Sequence, residues 1–331
     1  MAVIRIGVAG VGRLGALHVA RLREVAGVEL AGVFDVNPKR AQQVAAEHGT
    51  RAFAALPELL ANCAALTIAV PTSDHFTTAL AALQAGRHVF IEKPITTTIA
   101  QARQLIALAQ TKNLILQVGH IERFNGALRA LAGFPLAPRF IESHRMASFD
   151  PRGTDVAVVL DLMIHDIDII LSLVQSAITR VDANGVAVVS HEPDIANARL
   201  QFANGCVANV TASRISQKKM RKMRLFQRDA YISVDFLQGF SEVFRLTAPE
   251  ETVAGQAFPL VLGRLDQGAR PRHIIYEKRE APEGNALRAE LESFATAIRH
   301  EAPPPVTGED GLHALEVATA ITEMIKAQPP V

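Results

Sequence analysis

Val3 to Gly15, VIRIGVAGVGRLG, carries a short apolar run directly into three glycines spaced G-x-G-x-x-G. Beyond them Leu14, Leu17, Arg21, Leu22 and Val25 recur at helical spacing, so the stretch reads as strand, tight turn and helix. Each glycine has a distinct part in such a turn. The first permits the sharp reversal, the second lets backbone approach a pyrophosphate, and the third lets helix pack on strand, while the helix N-terminus offers amides and partial positive charge. A second apolar run, Val28 to Phe34, ends at Asp35, 20 residues after Gly15. A carboxylate there accepts hydrogen bonds from an adenosine ribose and repels the extra 2′-phosphate of NADP, which selects NAD. Lys39 and Arg40 follow closely and would offset part of that repulsion. Asn37 and Pro38 read as the cap and first position of a helix that stops at Gly49.

Working outward, the strand and helix alternation continues. Ala65 to Val70 is a buried-strand run, and Pro71-Thr72-Ser73-Asp74-His75 turns from it into a helix ending near Gly86. In that turn Ser73 or Asp74 serves as a plain helix cap, or Thr72 and His75 line the nicotinamide side; the sequence leaves both open. His88 to Pro94, HVFIEKP, is the next strand, followed by a helix from about residue 99 to 111 and a last strand, Leu114 to Val118. Ligands of open parallel sheets sit beyond the carboxyl ends of the strands, which is where Lys93 arrives, on backbone stiffened by Pro94. The whole reads as a six-stranded dinucleotide-binding domain over residues 1–118.

Length and composition bound the rest. With 331 residues, 49% hydrophobic and 20% charged, the chain can bury a large core and divide in two. A net charge of +1 without long single-sign blocks predicts neither nucleic acid nor an anionic membrane as partner. The N-terminus enters a strand at once, without a leader, which predicts a cytoplasmic protein. Cys63 and Cys206, far apart in sequence, read as reduced, non-catalytic thiols.

After residue 118 strands outnumber helices, a change that marks 119–331 as a second domain. Arg139 to Met146 reads as a strand, and Thr154 to Val174 carries the cluster Asp161-Leu162-Met163-Ile164-His165-Asp166-Ile167-Asp168. On a helix Asp161 and His165 share a face, with Asp168 three residues further along it. Further strands are expected over 178–189, 196–202, 207–213, 223–226, 230–235 and 241–246, with a tight hairpin at Asn204-Gly205. Between strands lies the densest positive charge, Arg214 to Arg224 (RISQKKMRKMR), either a solvated hairpin or a site for a diphosphate. Residues 249–271 read as a long loop, and 285–300 and 308–327 as closing helices. No metal site is expected, because no further ligand cluster accompanies Asp161 and His165.

GVAGVGRLG, Glu92-Lys93-Pro94 and Gly119-His120-Ile121-Glu122-Arg123-Phe124-Asn125 together resemble the glucose-fructose oxidoreductase and inositol dehydrogenase family. The resemblance spans the chain. It implies a Rossmann domain, α/β in class, followed by an α+β domain on a large, mostly antiparallel sheet whose face serves in oligomerisation, as homodimer or homotetramer. It implies NAD as cofactor, bound by Gly10, Gly12, Arg13, Leu14, Gly15, Asp35, Pro71, Thr72, His75, Glu92 and Lys93. Lys93, Asp161 and His165 would meet across a cleft as acid/base groups, either Lys93 or His165 serving as the base. Substrate contacts are expected from Glu122, Arg123, Asn125, Asp161, His165, Arg214 and Arg221. Met163 departs from the family, where glycine is common, and so loosens any borrowing of inositol or glucose geometry.

A narrower resemblance, carried by GHIERFN, DLMIHDIDI and residues 211–236, is to the branch of that family acting on the 3-hydroxyl of UDP-N-acetylglucosamine. It implies a nucleotide-sugar substrate and an aminotransferase as functional partner in lipid A biosynthesis. A free polyol or aldose is the alternative substrate, and an NAD-sensing protein without chemistry the alternative class.

Overall fold

The computed structural model describes residues 3–150, 156–248, 260–265 and 271–328. It forms two compact units, residues 1–124 with 284–316, and residues 125–283 with 317–331.

In the first unit, strands β1 (Ile4–Ala9), β2 (Val28–Phe34), β3 (Ala65–Ile68), β4 (His88–Glu92) and β5 (Leu116–Gly119) form a parallel sheet in the order β2-β1-β3-β4-β5. Helices α1 (Arg13–Leu22), α2 (Pro38–His48), α3 (Leu56–Ala61), α4 (Thr72–Gln84) and α5 (Ile99–Thr111) make the crossovers. The central strands are apolar because both faces are covered: every residue of β3 is buried, as is all of β4 after His88. The expected six strands are corrected to five among the described residues. What stands in the sixth place is a single parallel bridge, Val33 to Ala52, in which the Val33 amide donates to Arg51 and the Phe53 amide to Val33. Gly32, at φ +147°, makes room for it, since a Cβ there would lie 2.4 Å from the Phe53 ring. Asn37 caps α2 by accepting from the Lys39 and Arg40 amides, and left-handed Gly49 ends it, as the sequence predicts.

This unit also takes in helix α8 (Ala286–His300), whose apolar face packs Leu287, Leu291 and Phe294 into the same core as Phe90. The Phe90 and Phe294 rings meet edge to face at 5.8 Å.

The second unit holds nine strands: β6 (Phe140–Met146), β7 (Ile178–Val186), β8 (Ile195–Phe202), β9 (Val207–Ser213), β10 (Met220–Gln227), β11 (Ala230–Asp235), β12 (Phe240–Thr247), β13 (Leu260–Leu265) and β14 (Arg272–Glu280). They order as β13-β14-β12-β11-β10-β6-β9-β8-β7, antiparallel throughout except β6 beside β9. The mostly antiparallel sheet is thus as expected, and Gly205 at φ +83° turns the predicted hairpin between β8 and β9. Two expectations change here. Residues 260–265, within the expected loop, form strand β13; residues 249–259 and 266–270 lie outside the described part. The basic segment is no simple connection either, since its second half, from Met220, belongs to β10.

Short α6 (Gly126–Arg129) precedes the sheet, and α7 (Ile164–Val174) follows a π-helical turn, Val159–Met163. Residues 154 and 155, at the start of the expected cluster segment, lie outside the described part. The closing helices are α8 (Ala286–His300) and α9 (Gly308–Lys326).

Candidate functional site

Five parallel strands put their carboxyl ends on one edge of the first sheet, and the glycine turn occupies the point where chain order reverses about β1. The glycines show their division of labour. Gly10 has φ +80°, and a Cβ on it would lie 2.7 Å from the Val70 amide nitrogen. One on Gly15 would lie 1.8 Å from the Gly10 carbonyl oxygen, so only hydrogen fits where α1 crosses the turn. Gly12 is different: a Cβ there meets nothing within 4 Å. The protein itself therefore does not demand glycine at 12, whereas a pyrophosphate approaching the exposed α1 N-terminus at Gly12, Arg13 and Leu14 would.

Asp35 stands beyond β2 with its carboxylate fixed by two amides, accepting from Val11 at 2.8 Å and Asn37 at 2.8 Å. One oxygen is thereby tied to the glycine turn. Arg40 donates from Nε to the Val11 carbonyl at 2.8 Å, which commits its guanidinium partly to the same turn. The cradle fits an adenosine diphosphate moiety: glycine backbone for phosphates, a carboxylate for ribose.

Glu92 ends β4, and Lys93 is the first residue beyond it. Glu92 is buried, and its Oε1 lies 3.0 Å from Nε2 of His18, itself fully buried on α1. A Cβ on Gly119 would sit 2.9 Å from that carboxylate, so the glycine at the end of β5 leaves the space Glu92 occupies. Lys93 is half-buried and joined to Pro94 by a cis peptide. Pro71 caps α4 by position only, without a side-chain bond, and Thr72 is the first helical residue; neither Ser73 nor Asp74 is the cap. His75 is buried, with Nδ1 2.9 Å from the Pro94 carbonyl and Nε2 3.1 Å from the Val70 carbonyl. Both ring nitrogens thus face backbone. Burial pushes its pKa down, against the carbonyls of Pro94 and Val70 and the Glu92 charge, which act upward.

Glu122 is buried in a 3-10 turn, Ile121–Phe124, and Arg123 lies 3.7 Å from Asp310. Asn125 caps α6 and ties it to the sheet, since its Oδ1 accepts from the Ala127 amide at 3.0 Å and its Nδ2 donates to the Phe236 carbonyl at 3.1 Å.

In the second unit a cavity of about 280 Å³ gathers Asp161, Arg214, Arg221, Lys219, Asp150 and Met146 in its walls. Three of the expected substrate residues therefore converge, joined by Lys219, while His165 is not in those walls. The volume lies below the ~300–1,000 Å³ usual for a whole organic ligand, so it suits one part of a substrate. Arg214 is buried and donates to the Val156 carbonyl; its Nε is 3.9 Å from Asp194. Asp161 sits in the π-helical turn and His165 in the first turn of α7, both half-buried. The simple four-residue helical spacing is thus widened at Asp161, an irregularity frequent at functional sites.

Two supporting pairs escape sequence reading. Arg145 on β6 grips Asp166 on α7 at 2.7 and 3.2 Å, both side chains only 2% exposed. The signal was there, since Arg145 falls in phase with inward-facing Ile141 and Ser143. His18 follows the third glycine by three residues, and nothing in sequence ties it to Glu92. A larger cavity, about 780 Å³, opens at the amino-terminal edge of the first sheet, by His88, Leu114 and Pro304. Size does not decide here: the glycine turn, Asp35 and Lys93 all lie on the opposite edge. Among the described residues no group of three or more His, Cys, Asp or Glu is placed to hold a metal.

A sheet edge with a glycine-lined phosphate cradle, a ribose-type acid and a half-buried lysine defines a nicotinamide-dependent oxidoreductase. Residues 4–120 match the family model described as the oxidoreductase family with NAD-binding Rossmann fold, and residues 126–233 the GFO/IDH/MocA C-terminal domain. The chain belongs to this Gfo/Idh/MocA family of NAD-dependent enzymes, as the motifs had indicated. Among its relatives is UDP-N-acetylglucosamine 3-dehydrogenase of Acidithiobacillus ferrooxidans, 41% identical over 98% of both chains. A solved structure of that enzyme superposes with TM-score 0.87, covering 99% of both chains at 38% identity. Myo-inositol 2-dehydrogenase of Thermotoga maritima is 26% identical over 98% of this chain and 96% of its own.

Proposed function

We propose that the protein oxidises the 3-hydroxyl of UDP-N-acetylglucosamine to a 3-keto nucleotide sugar. The observation that carries this reading is the likeness to the Acidithiobacillus enzyme along essentially the whole chain. The basic cavity supports it independently: Arg214, Lys219 and Arg221 beside Asp161 offer the fork and point charges that diphosphate oxygens take, which a free polyol does not need. Residues 1–118 carry the cofactor in this account, and residues 119–331 the substrate and subunit contacts.

Bound NAD supplies the hydride acceptor. Gly10, Gly12, Arg13, Leu14 and Gly15 would hold its phosphates, Asp35 its ribose, and Pro71, Thr72, Glu92 and Lys93 would line the edge for the nicotinamide. As the C3–H bond gives up its hydride, the 3-hydroxyl loses its proton to Lys93 or His165 and a C=O bond forms; Asp161 orients that base. General acid/base help of this kind is worth ~10²–10⁴ in rate. Glu122, Arg123 and Asn125 border the substrate, the first two through the 3-10 turn after β5.

The product is an electrophilic ketone on a nucleotide sugar, a substrate for an aminotransferase making a 3-amino sugar for lipid A. No helix among the described residues is long and apolar enough to cross a membrane. The sheet of the second unit presents a row of directly paired aromatics, Phe140, Phe226, Tyr231, Phe244 and Tyr276, one on each of five neighbouring strands. Such a face suits a homodimer or homotetramer.

The test is NADH formation with NAD and UDP-N-acetylglucosamine, set beside myo-inositol. A kcat/KM favouring the nucleotide sugar is expected; preference for inositol would replace the substrate assignment, and tight NAD binding without turnover of either would favour a sensor.

A further inference from the structure

The residue that follows Lys93 is anchored, and by an unusual means. A carbonyl oxygen can only accept, so each of the two His75 contacts is a hydrogen bond only where that ring nitrogen carries a proton. A neutral imidazole has one such proton. The ring is buried and so favours the neutral form, in which it donates to Pro94 or to Val70, but not both.

We propose that His75 is a positioning residue for Lys93, donating from Nδ1 to the Pro94 carbonyl and so fixing the backbone from which the lysine projects. The Nδ1 contact is the shorter of the two, 2.9 against 3.1 Å. His75 lies in the first turn of α4, a rigid element packed beside β4, so the tether runs from the start of that helix to the end of that strand. The other flank of Lys93 is held as well: Glu92 is bonded by His18 and boxed by Gly119. Ile95 and Thr96, just beyond Pro94, are fully buried. Lys93 is thus a half-exposed side chain on a segment clamped on both sides, and His75 supplies the clamp on the carboxyl side. With both its nitrogens turned to backbone carbonyls, His75 serves the nicotinamide edge through Lys93 rather than by touching the ring.

This rests on Lys93 as a proton-transfer group, and the test separates the two claims. The amide nitrogen of Asn reproduces His Nδ1, and that of Gln reproduces Nε2. His75→Asn therefore keeps the bond to Pro94, whereas His75→Gln keeps the bond to Val70. With UDP-N-acetylglucosamine and NAD, His75→Asn is expected to retain at least about a third of kcat, and His75→Gln to lose ~30- to 100-fold with KM for NAD unchanged, the scale of a misplaced catalytic group. Equal kcat in the two variants, or a loss confined to KM for NAD, would overturn the proposal. Nitrogen NMR of the unsubstituted protein, labelled on histidine, is independent of how the variants fold: a protonated Nδ1 on His75 is expected, and an unprotonated Nδ1 would overturn it. Full turnover by Lys93→Met would remove the lysine assignment and this inference together; an inactive Lys93→Met with equal His75 variants would remove this inference alone.

Discussion

Replacing Arg145 by Met should destabilise the second unit severely, although the site holds no reacting group. The Arg145 guanidinium donates from two nitrogens to the two oxygens of Asp166, and both side chains are 2% exposed. Arg145→Met leaves the Asp166 carboxylate buried without its bidentate partner, a loss of ~3–5 kcal/mol. At ~2–4 °C per kcal/mol for a unit of this size, the melting temperature falls by roughly 6–20 °C. The double variant Arg145→Met, Asp166→Leu removes both members of the pair, and is expected within ~1 kcal/mol of the parent because desolvation of the ion pair disappears with it. Thermal unfolding of the parent, the double variant and the two single variants, followed by a probe of the second unit, gives the coupling directly. An Arg145→Met variant that costs less than ~1 kcal/mol, or a double as damaged as that single, would refute the view that this pair fastens α7 to β6.

The cofactor cradle makes a paired forecast. Gly15→Ala should disturb folding, since its Cβ would meet the Gly10 carbonyl at 1.8 Å, while Gly12→Ala should melt normally yet bind NAD at least about tenfold more weakly in a fluorescence titration. Asp35→Ser should raise turnover with NADP relative to NAD, because the carboxylate opposing a 2′-phosphate is gone. Arg221→Ala should raise KM for UDP-N-acetylglucosamine ~10- to 100-fold, the worth of one charge-assisted hydrogen bond, and leave the NAD dissociation constant alone. Acid stability should depend on Asp194. Burial alone would raise its carboxyl, but the Val189 and Val188 amides and the Ser190 hydroxyl and amide outweigh that and hold it at about 2. Its contribution is therefore full above its ordinary value of 3.8 and lost as pH falls from there toward 2, a limb that Asp194→Asn should flatten in acid unfolding curves.

How much of the fold and site is legible in the sequence follows from where the information lies. Turn and cap chemistry is local, so Gly10 to Gly15, Asn37 with Pro38, and Asn204-Gly205 can be read from neighbouring letters. The strands of the first sheet are legible as short apolar runs bounded by turn residues. The sixth expected strand reduces to the single bridge at Ala52, too short to carry a period, and β13 escapes because Gly263 and Arg264 break its apolar run. Tertiary pairs are another matter. Arg145 with Asp166 are 21 residues apart, and His18 with Glu92 are 74 apart, so only folding shows that each charge or ring has a partner. The same holds for α8, whose helical pattern is plain but whose packing against Phe90 of the first unit is not. His75 shows the limit most sharply. Its place beside the strand end is legible, yet the two carbonyls that claim its ring nitrogens come from Val70 and Pro94, to which the sequence assigns no such role.

The central claim is that the hydride comes from C3 of a UDP-sugar. UDP-N-acetylglucosamine deuterated at C3, incubated with the protein and NAD, tests it most directly by the mass of the NADH formed. The account predicts NADH carrying the deuterium, in amount equal to the 3-keto sugar. Unlabelled NADH from that substrate, or label transfer from inositol in preference to it, would contradict it.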